Sequence, residues 1–372
     1  MTKQSRLRLL DCFANARNDV IARSKATKQS SKYNNSLLNL RYTSNTSKKP
    51  YSRFYSHIVN KQLLPSLMIK TLYSALFLTL TALLLLYPQD SLGFALNGLN
   101  LWFQKMVPTL LPFMILSGMM IRMNLTGRLM LLFKPILKPL FRLNTPSLYA
   151  IAVGFLCGFP MGARVTADLY ERKQISKHEA TYLLAFINNI GPIYFISFAL
   201  PLLNMPLDFR LLFGMYGIPL CYGLVLRFTV YRRLLSSPSA HLSTPTKPAG
   251  LLKALDDSIA SGLEGITKLG GYMIFFNLLN IIPYLLADGK IIAGTTSGIL
   301  EITGGLKALA DNMPVISLTL LTLGGLSCLA QTYSCIAKTD LSLRSYLLHK
   351  IVLTILAGGY YVLIFCYSSG FA

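Results

Sequence analysis

Charge is scarce in this chain. Only 13% of its 372 residues are Asp, Glu, Lys or Arg, where a soluble protein carries about 25%, and the 14 acids are outnumbered by 36 Lys/Arg. The six cysteines (Cys12, Cys157, Cys221, Cys328, Cys335, Cys366) form no CxxC pair and no Cys/His cluster, which argues against a disulfide framework and against a zinc site. HExxH, GxSxG and paired intramembrane aspartates are missing, as is a phosphate-cradling Walker loop. The recognisable metalloprotease, serine-hydrolase and ATP-driven chemistries are thereby excluded. Neither a metal nor a cofactor is expected, and the chain does not read as an enzyme.

What fills the sequence is apolar. Hydrophobic residues make up 53% of it and the mean hydropathy is +0.49, so the expected fold is an all-α polytopic membrane protein with the lipid bilayer as its surroundings. Ile69–Tyr87 is a nearly unbroken run of spanning length, closed by Pro88-Gln89-Asp90. Further spans are predicted over Trp102–Ile121, Ala180–Leu203, Phe209–Tyr231, Ile266–Ala287, Pro314–Ala330 and Tyr346–Tyr367. Ser147–Gly162 is too short for a straight crossing and ends in Gly-Phe-Pro-Met-Gly, so it reads as a re-entrant or broken element. Gly127–Leu143, punctuated by Arg128, Lys134, Lys138 and Arg142, reads as a surface helix.

The basic excess is uneven. Residues 1–67 hold 13 Lys/Arg against Asp11 and Asp19, half of the formal net charge of +22. They lack the apolar content to offset ordering entropy, DCFANARNDVIARSKATKQS resembles translated repeat sequence, and Met68 stands directly before the first apolar run. A disordered or mis-annotated extension is the expectation, rather than a nucleic-acid arm or a transit peptide. Residues 68–235 form a first membrane half, 236–250 a polar linker and 251–372 a second half. If Ser147–Gly162 turns back, the basic loops Arg122–Arg142, Arg164–Lys177 and Arg232–Lys253 share the side of Lys61 and Lys70, as the positive-inside bias requires. GFPMGAR from Gly158 and GLSCLAQ from Gly325 each follow a short apolar run, which suggests two inverted repeats with re-entrant or broken helices. An inverted second repeat is taken to return the C-terminus to the inside. The charge rule applied to Lys338, Arg344 and Lys350 argues for the outside.

Two stretches carry the chemistry. In GFPMGARVTADLY (Gly158–Tyr170), Pro160 lacks an N–H and suits the first position of a helix. The N–H groups of Met161, Gly162 and Ala163 would then face an anion, with Arg164 adding a full charge. Asp168, Arg172 and Lys173 on the same helix read as a solvated stripe. SKHE (Ser176–Glu179) fits a capping box, which accounts for Glu179 and leaves His178 at the surface. In INNIGP (Ile187–Pro192), Pro192 cannot bond the carbonyl of Asn188, so the helix should break mid-membrane. Asn188 and Asn189 there would face a ligand or ion, the alternative being bonds to a neighbouring helix. Pro160, Met161, Gly162, Arg164, Asn188 and Asn189 are read as one substrate pocket for a small anion. In the second half Glu301 is read either as a protonatable or coupling group or as a surface acid. Ser327 and Gln331 are its companions, Gln331 being the counterpart of Arg164.

Those stretches, with ISKHEATYLLAFINNIGP (Ile175–Pro192) and GGLSCLAQ (Gly324–Gln331), resemble the sporulation integral membrane proteins of the YlbJ type, within the wider nucleoside-recognition or Gate domain group. The resemblance covers Met68 to Tyr367, with Phe186-Ile187 where the family has close to Phe-Cys before the asparagines. It implies a protein of the mother-cell-derived outer forespore membrane that moves dipicolinic acid into the spore. A nucleoside permease and a non-transporting scaffold of a sporulation complex are the alternatives, and the oligomeric state, a homo-oligomer included, stays open. Single cysteines at Lys173 and Thr246 are expected to label from the same membrane face; labelling from opposite faces would refute the re-entrant assignment.

Overall fold

A computed structural model describes residues 70–235, 248–309 and 313–369. The N-terminal extension and most of the 236–250 linker lie outside the described residues. Every regular element among those described is helical. Helix α1 is Lys70–Leu86. The chain then runs through α2 (Pro88–Arg122), α3 (Lys134–Phe141), α4 (Thr145–Cys157), α5 (Met161–Glu171), α6 (Lys177–Leu184), α7 (Pro192–Leu202) and α8 (Phe209–Phe228). The second half holds α9 (Leu251–Leu286), α10 (Lys290–Leu300), α11 (Ile302–Leu309), α12 (Pro314–Leu323), α13 (Gly325–Ile336) and α14 (Leu343–Ser369).

Among the described residues five helices are long and apolar enough to cross a bilayer: α2, α8, α9, α12 with α13, and α14. Two of them begin more than ten residues before their predicted starts. Pro88 ends the preceding helix because it offers no N–H, and the same property makes it a good first residue for α2. α2 therefore begins 14 residues before Trp102 and passes through a π-turn at Trp102–Met106. α9 begins at Leu251, where Ala249 donates to the Arg122 carbonyl at 3.1 Å. The surface segment 127–143 contains α3, bent by 109° against α4. Arg227, buried at 5% exposure, closes that bend by donating to the carbonyls of Phe141 and Arg142.

The short apolar element before Gly158 is one arm of a helical hairpin. α4 ends at Gly158, whose φ of +77° suits glycine, and α5 begins at Met161 with Pro160 as its N-cap. α5 then packs back along α4. A second hairpin, α10 with α11, turns at Glu301, and Gly298 and Gly305 meet backbone to backbone across it. Each half thus has one order: a span, a hairpin, a broken span, a span. α2, α4–α5, α6–α7 and α8 match α9, α10–α11, α12–α13 and α14. This order replaces the pairing of Gly158 with Gly325: the partner of the Gly158 turn is Glu301, and Gly324 corresponds to the Asn188–Gly191 break.

Packing follows the same repeat. The tip at Gly158 abuts Ile190 and Gly191, and the carbonyls of Gly298, Ile299 and Leu300 abut Gly325. α5 packs on α13, and Ile302, Leu306 and Leu309 of α11 share a core with Phe195 and Ala199 of the α7 helix. The opening spans α2 and α9 meet through small residues, with Gly98 against the Met273 backbone and Gly270 beneath the Trp102 ring. Within lipid there is little hydrophobic drive between helices, so such close approach supplies dispersion contacts instead. The Trp102 indole adds a hydrogen bond to the Ile266 carbonyl at 2.8 Å.

One end of the bundle collects the basic loops. Lys177 pairs with Asp340 at 2.7 Å and Lys338 approaches Glu264 at 3.7 Å. The Lys177 ammonium and the Tyr170 hydroxyl hold the Asp340 carboxyl below its usual range. At the other end the Tyr360 hydroxyl donates to the Arg210 carbonyl. α14 therefore leaves the basic end and finishes opposite it, which corrects the expectation that an inverted second half returns the C-terminus to the basic side. With α1 left aside, each half runs three times between the two ends of the bundle, so an inverted half starting at the basic end must finish at the other.

A side chain at Gly158 would overlap the Gly191 backbone nitrogen, and the local conformation is one that only glycine adopts readily. Gly158→Ala is expected to cost about 3 kcal/mol or more. Gly93→Ala, with open space around its new methyl, should be neutral or stabilising by up to about 1 kcal/mol. Thermal unfolding in detergent, followed by loss of the monodisperse peak, ranks the two.

Candidate functional site

The breaks and hairpin tips converge between the halves. The capping box at Ser176 and Glu179 forms as read and starts α6. His178 is exposed. Glu179 is buried and also accepts from the Ser147 hydroxyl of α4 at 3.2 Å. The helix then stops at Leu184 and resumes at Pro192. Tyr182 and Phe186, fully buried among Phe141, Phe155 and Tyr231, anchor the approach to the break.

Both asparagines are 2% exposed and fully engaged. The Asn188 amide oxygen accepts from the Ala163 N–H at 3.3 Å, and its nitrogen donates to the Thr332 hydroxyl (2.8 Å) and the Tyr346 hydroxyl (3.2 Å). Asn189 donates to the Phe186 carbonyl at 2.6 Å. The predicted anion seat at the start of α5 is thus occupied by an amide oxygen of the chain itself. Met161 and Gly162 are buried there, and the Met161 N–H bonds the Gly158 carbonyl.

Lys350 was counted among loop charges, but it lies in α14 at 3% exposure. Its ammonium donates to the Asn188 carbonyl at 2.9 Å and the Asn189 amide oxygen at 3.2 Å, and stands 4.5 Å from the centre of the Phe159 ring. The Asn188 carbonyl is the acceptor that Pro192 cannot serve. A lysine inside the predicted span Tyr346–Tyr367 is the sequence signal for such a buried donor, one that the charge rule passes over.

Arg164 lies elsewhere. Its guanidinium donates to the Ser261 carbonyl (2.6 Å) and hydroxyl (2.7 Å) across the half-to-half boundary and lies over Gly265. It lines a polar cavity of about 270 Å³ with Pro160, Arg122, Asp168, Arg172 and Lys268. Asp168 and Arg172 therefore belong to this wall rather than to a solvated stripe, whereas Lys173 is exposed as expected. Basic groups outnumber acids in the wall, because Lys338 joins those named and only Glu171 and Glu264 join Asp168.

A second cavity of about 420 Å³ lies against both breaks, lined by Phe159, Gly191, Tyr194, Glu301, Gly324 and Cys328, with Gln104 and Ser197 among its polar groups. Glu301 is buried at 3% exposure, so the surface alternative is set aside. Its carboxylate caps α11, accepting from the N–H groups of Thr303 and Gly304 at 3.0 Å each and from the Thr303 hydroxyl at 2.9 Å. Gln331, which donates to the Ser327 hydroxyl at 3.0 Å, lines both cavities. The structure thus brings Arg164, Pro160 and Gln331 to one cavity and Glu301 and Gln331 to the other, and places Asn188 and Asn189 in neither lining. Among the described residues no group of His, Cys, Asp and Glu is arranged to hold a metal ion.

No protein-family model matches the chain. No solved structure matches it. Among curated proteins it is similar to the sporulation integral membrane protein YlbJ of Bacillus subtilis (strain 168), at 25% identity over 334 residues, covering 79% of this chain and 82% of the relative. That similarity bears out the YlbJ-type resemblance carried by the Gly158 and Asn188 stretches.

If the basic cavity holds a small dicarboxylate, Arg164→Gln should weaken its binding tenfold or more, since a charge-assisted contact is worth roughly 1.5–3 kcal/mol. Gly265→Ala should do the same without touching Arg164, because the added methyl displaces the guanidinium. Lys173→Gln should be silent. Equilibrium binding of dipicolinate to the purified variants makes the comparison.

Proposed function

We propose that the protein is a membrane transporter of a small organic anion, dipicolinic acid during endospore formation, working in the outer forespore membrane. The carrying observation is the basic cavity at Arg164, at the basic end of the bundle, joined through Gln331 to a second cavity where two broken helices meet. A dianion would be gathered by Arg164 and its basic neighbours, whose guanidinium forks suit carboxylates. It would then pass Gln331 to the cavity between the halves. Breaks and hairpins at a repeat interface are the elements that move in alternating-access transport. The similarity to a sporulation membrane protein supports the biological setting.

One observation favours a nucleoside instead. The larger cavity offers Gln104, Thr109, Ser197 and Thr303, and its two charged groups, Lys105 and Glu301, have opposite signs and leave it no net pull on a dianion. The basic cavity outweighs this, because a neutral nucleoside gains no charge–charge attraction from Arg164, Arg122 and Arg172.

The protein in proteoliposomes is expected to carry radiolabelled dipicolinate, with excess unlabelled dipicolinate competing and uridine or adenosine failing to compete. Competition by nucleosides would turn the assignment to a permease. Failure to move either solute would leave a scaffold.

A further inference from the structure

Lys350 is used by nothing in the transport reading so far, and its surroundings are unusual. Pro192 deprives the Asn188 carbonyl of its helical donor, and within a bilayer no water replaces it. The donor comes instead from α14, as the Lys350 ammonium, which also holds the Asn189 amide oxygen. Its remaining face is covered by the Phe159 ring from the α4–α5 tip. Among the described residues no carboxylate lies within ion-pair distance of this nitrogen. The charge is therefore stabilised only by a carbonyl, an amide and an aromatic face, a costly arrangement for a cation buried in a membrane protein.

We infer that Lys350 is a proton-operated latch that ties the broken helix α6–α7 to α14 and links anion movement to proton movement. With its proton in place the ammonium closes the break through two charge-assisted bonds and the ring contact. When the proton passes to water in the cavity that Phe159 lines, a neutral amine remains. Its bonds to Asn188 and Asn189 are about half as strong and the ring attraction is lost. The latch then loosens at the one carbonyl that the sequence leaves without a helical donor.

The other groups around it do not substitute for this charge. From α13 come the Cys328 thiol and Thr332, from α14 itself Tyr346, which is bound to Asn188, and His349, which is bound to Tyr222 of α8. Glu301 lines the same cavity as Cys328 and Phe159 and is no ion-pair partner of the ammonium. An anion in that cavity stabilises the protonated latch, and by linkage the proton favours the bound anion to the same degree. This second clause rests on the transport reading; the latch itself does not.

Hydrogen–deuterium exchange on the full-length protein in detergent tests the latch without any substrate. Exchange at residues 187–191 is normalised at each pH to that of the buried α4 segment 148–153, which cancels intrinsic base catalysis. The normalised rate of the wild type is expected to rise about tenfold between pH 6 and pH 9. Lys350→Gln should be fast throughout. Asn189→Asp, which places a carboxylate on the ammonium, should be slow throughout. A flat wild-type profile overturns the latch, even if neither variant folds. Dipicolinate flux in proteoliposomes, with and without an inward proton gradient, supplies the second arm. A pH switch at 187–191 without any flux leaves the latch standing and removes the transport reading. Flux without the switch, or flux indifferent to the gradient, leaves transport standing and overturns the coupling.

Discussion

A helix broken inside a bilayer exposes carbonyl and N–H groups that water cannot reach, and each must find a partner within the protein. Much of the centre of this molecule follows from that requirement. The break at Asn188–Gly191 is closed by Lys350 from α14, and the start of α5 is capped by the Asn188 amide. The turn at Glu301 is closed by the Glu301 carboxylate on Thr303 and Gly304. From the sequence Asn188 looks like a ligand-binding group and Glu301 like a coupling group or a surface acid, yet both turn out to satisfy backbone, as does Lys350. The same requirement draws the halves together, since Asn188 reaches Thr332 and Tyr346 and so bonds to the other half.

What is left for solutes are the groups that the backbone does not consume. Arg164 spends one nitrogen on Ser261 and still lines an open, basic space. Gln331 stands between that space and the larger cavity. The two cavities differ in character, basic at one end of the bundle and mixed polar and apolar between the breaks, as a path that first attracts an anion and then encloses it requires. Lys350 lies behind Phe159, outside the lining of either cavity, with that ring between its ammonium and the larger one.

The internal repeat shows how far sequence symmetry can mislead. GFPMGAR and GLSCLAQ look alike because both set glycines before a polar helix, yet one is the tip of a hairpin and the other the break of a span. They face one another in space, with the Phe159 ring on Gly324. Glycine-rich stretches mark places where backbones approach closely, and both kinds of site need that.

The sequence by itself determined the class of the protein, the apolar runs, the break before Pro192, the helix start at Pro160 and the cap at Ser176. These depend on local properties: transfer of side chains into lipid, a missing proline N–H, and a serine three residues before its glutamate in the capping box. Tertiary structure alone decided what the polar residues do. Whether Asn188 meets a solute or the Ala163 N–H, and whether Lys350 is a loop charge or a buried donor, depends on which helices lie within 3 Å of one another. Asn188 meets Ala163 across 25 residues of its own half and Lys350 across 162 residues from the other half, and no local pattern encodes either contact.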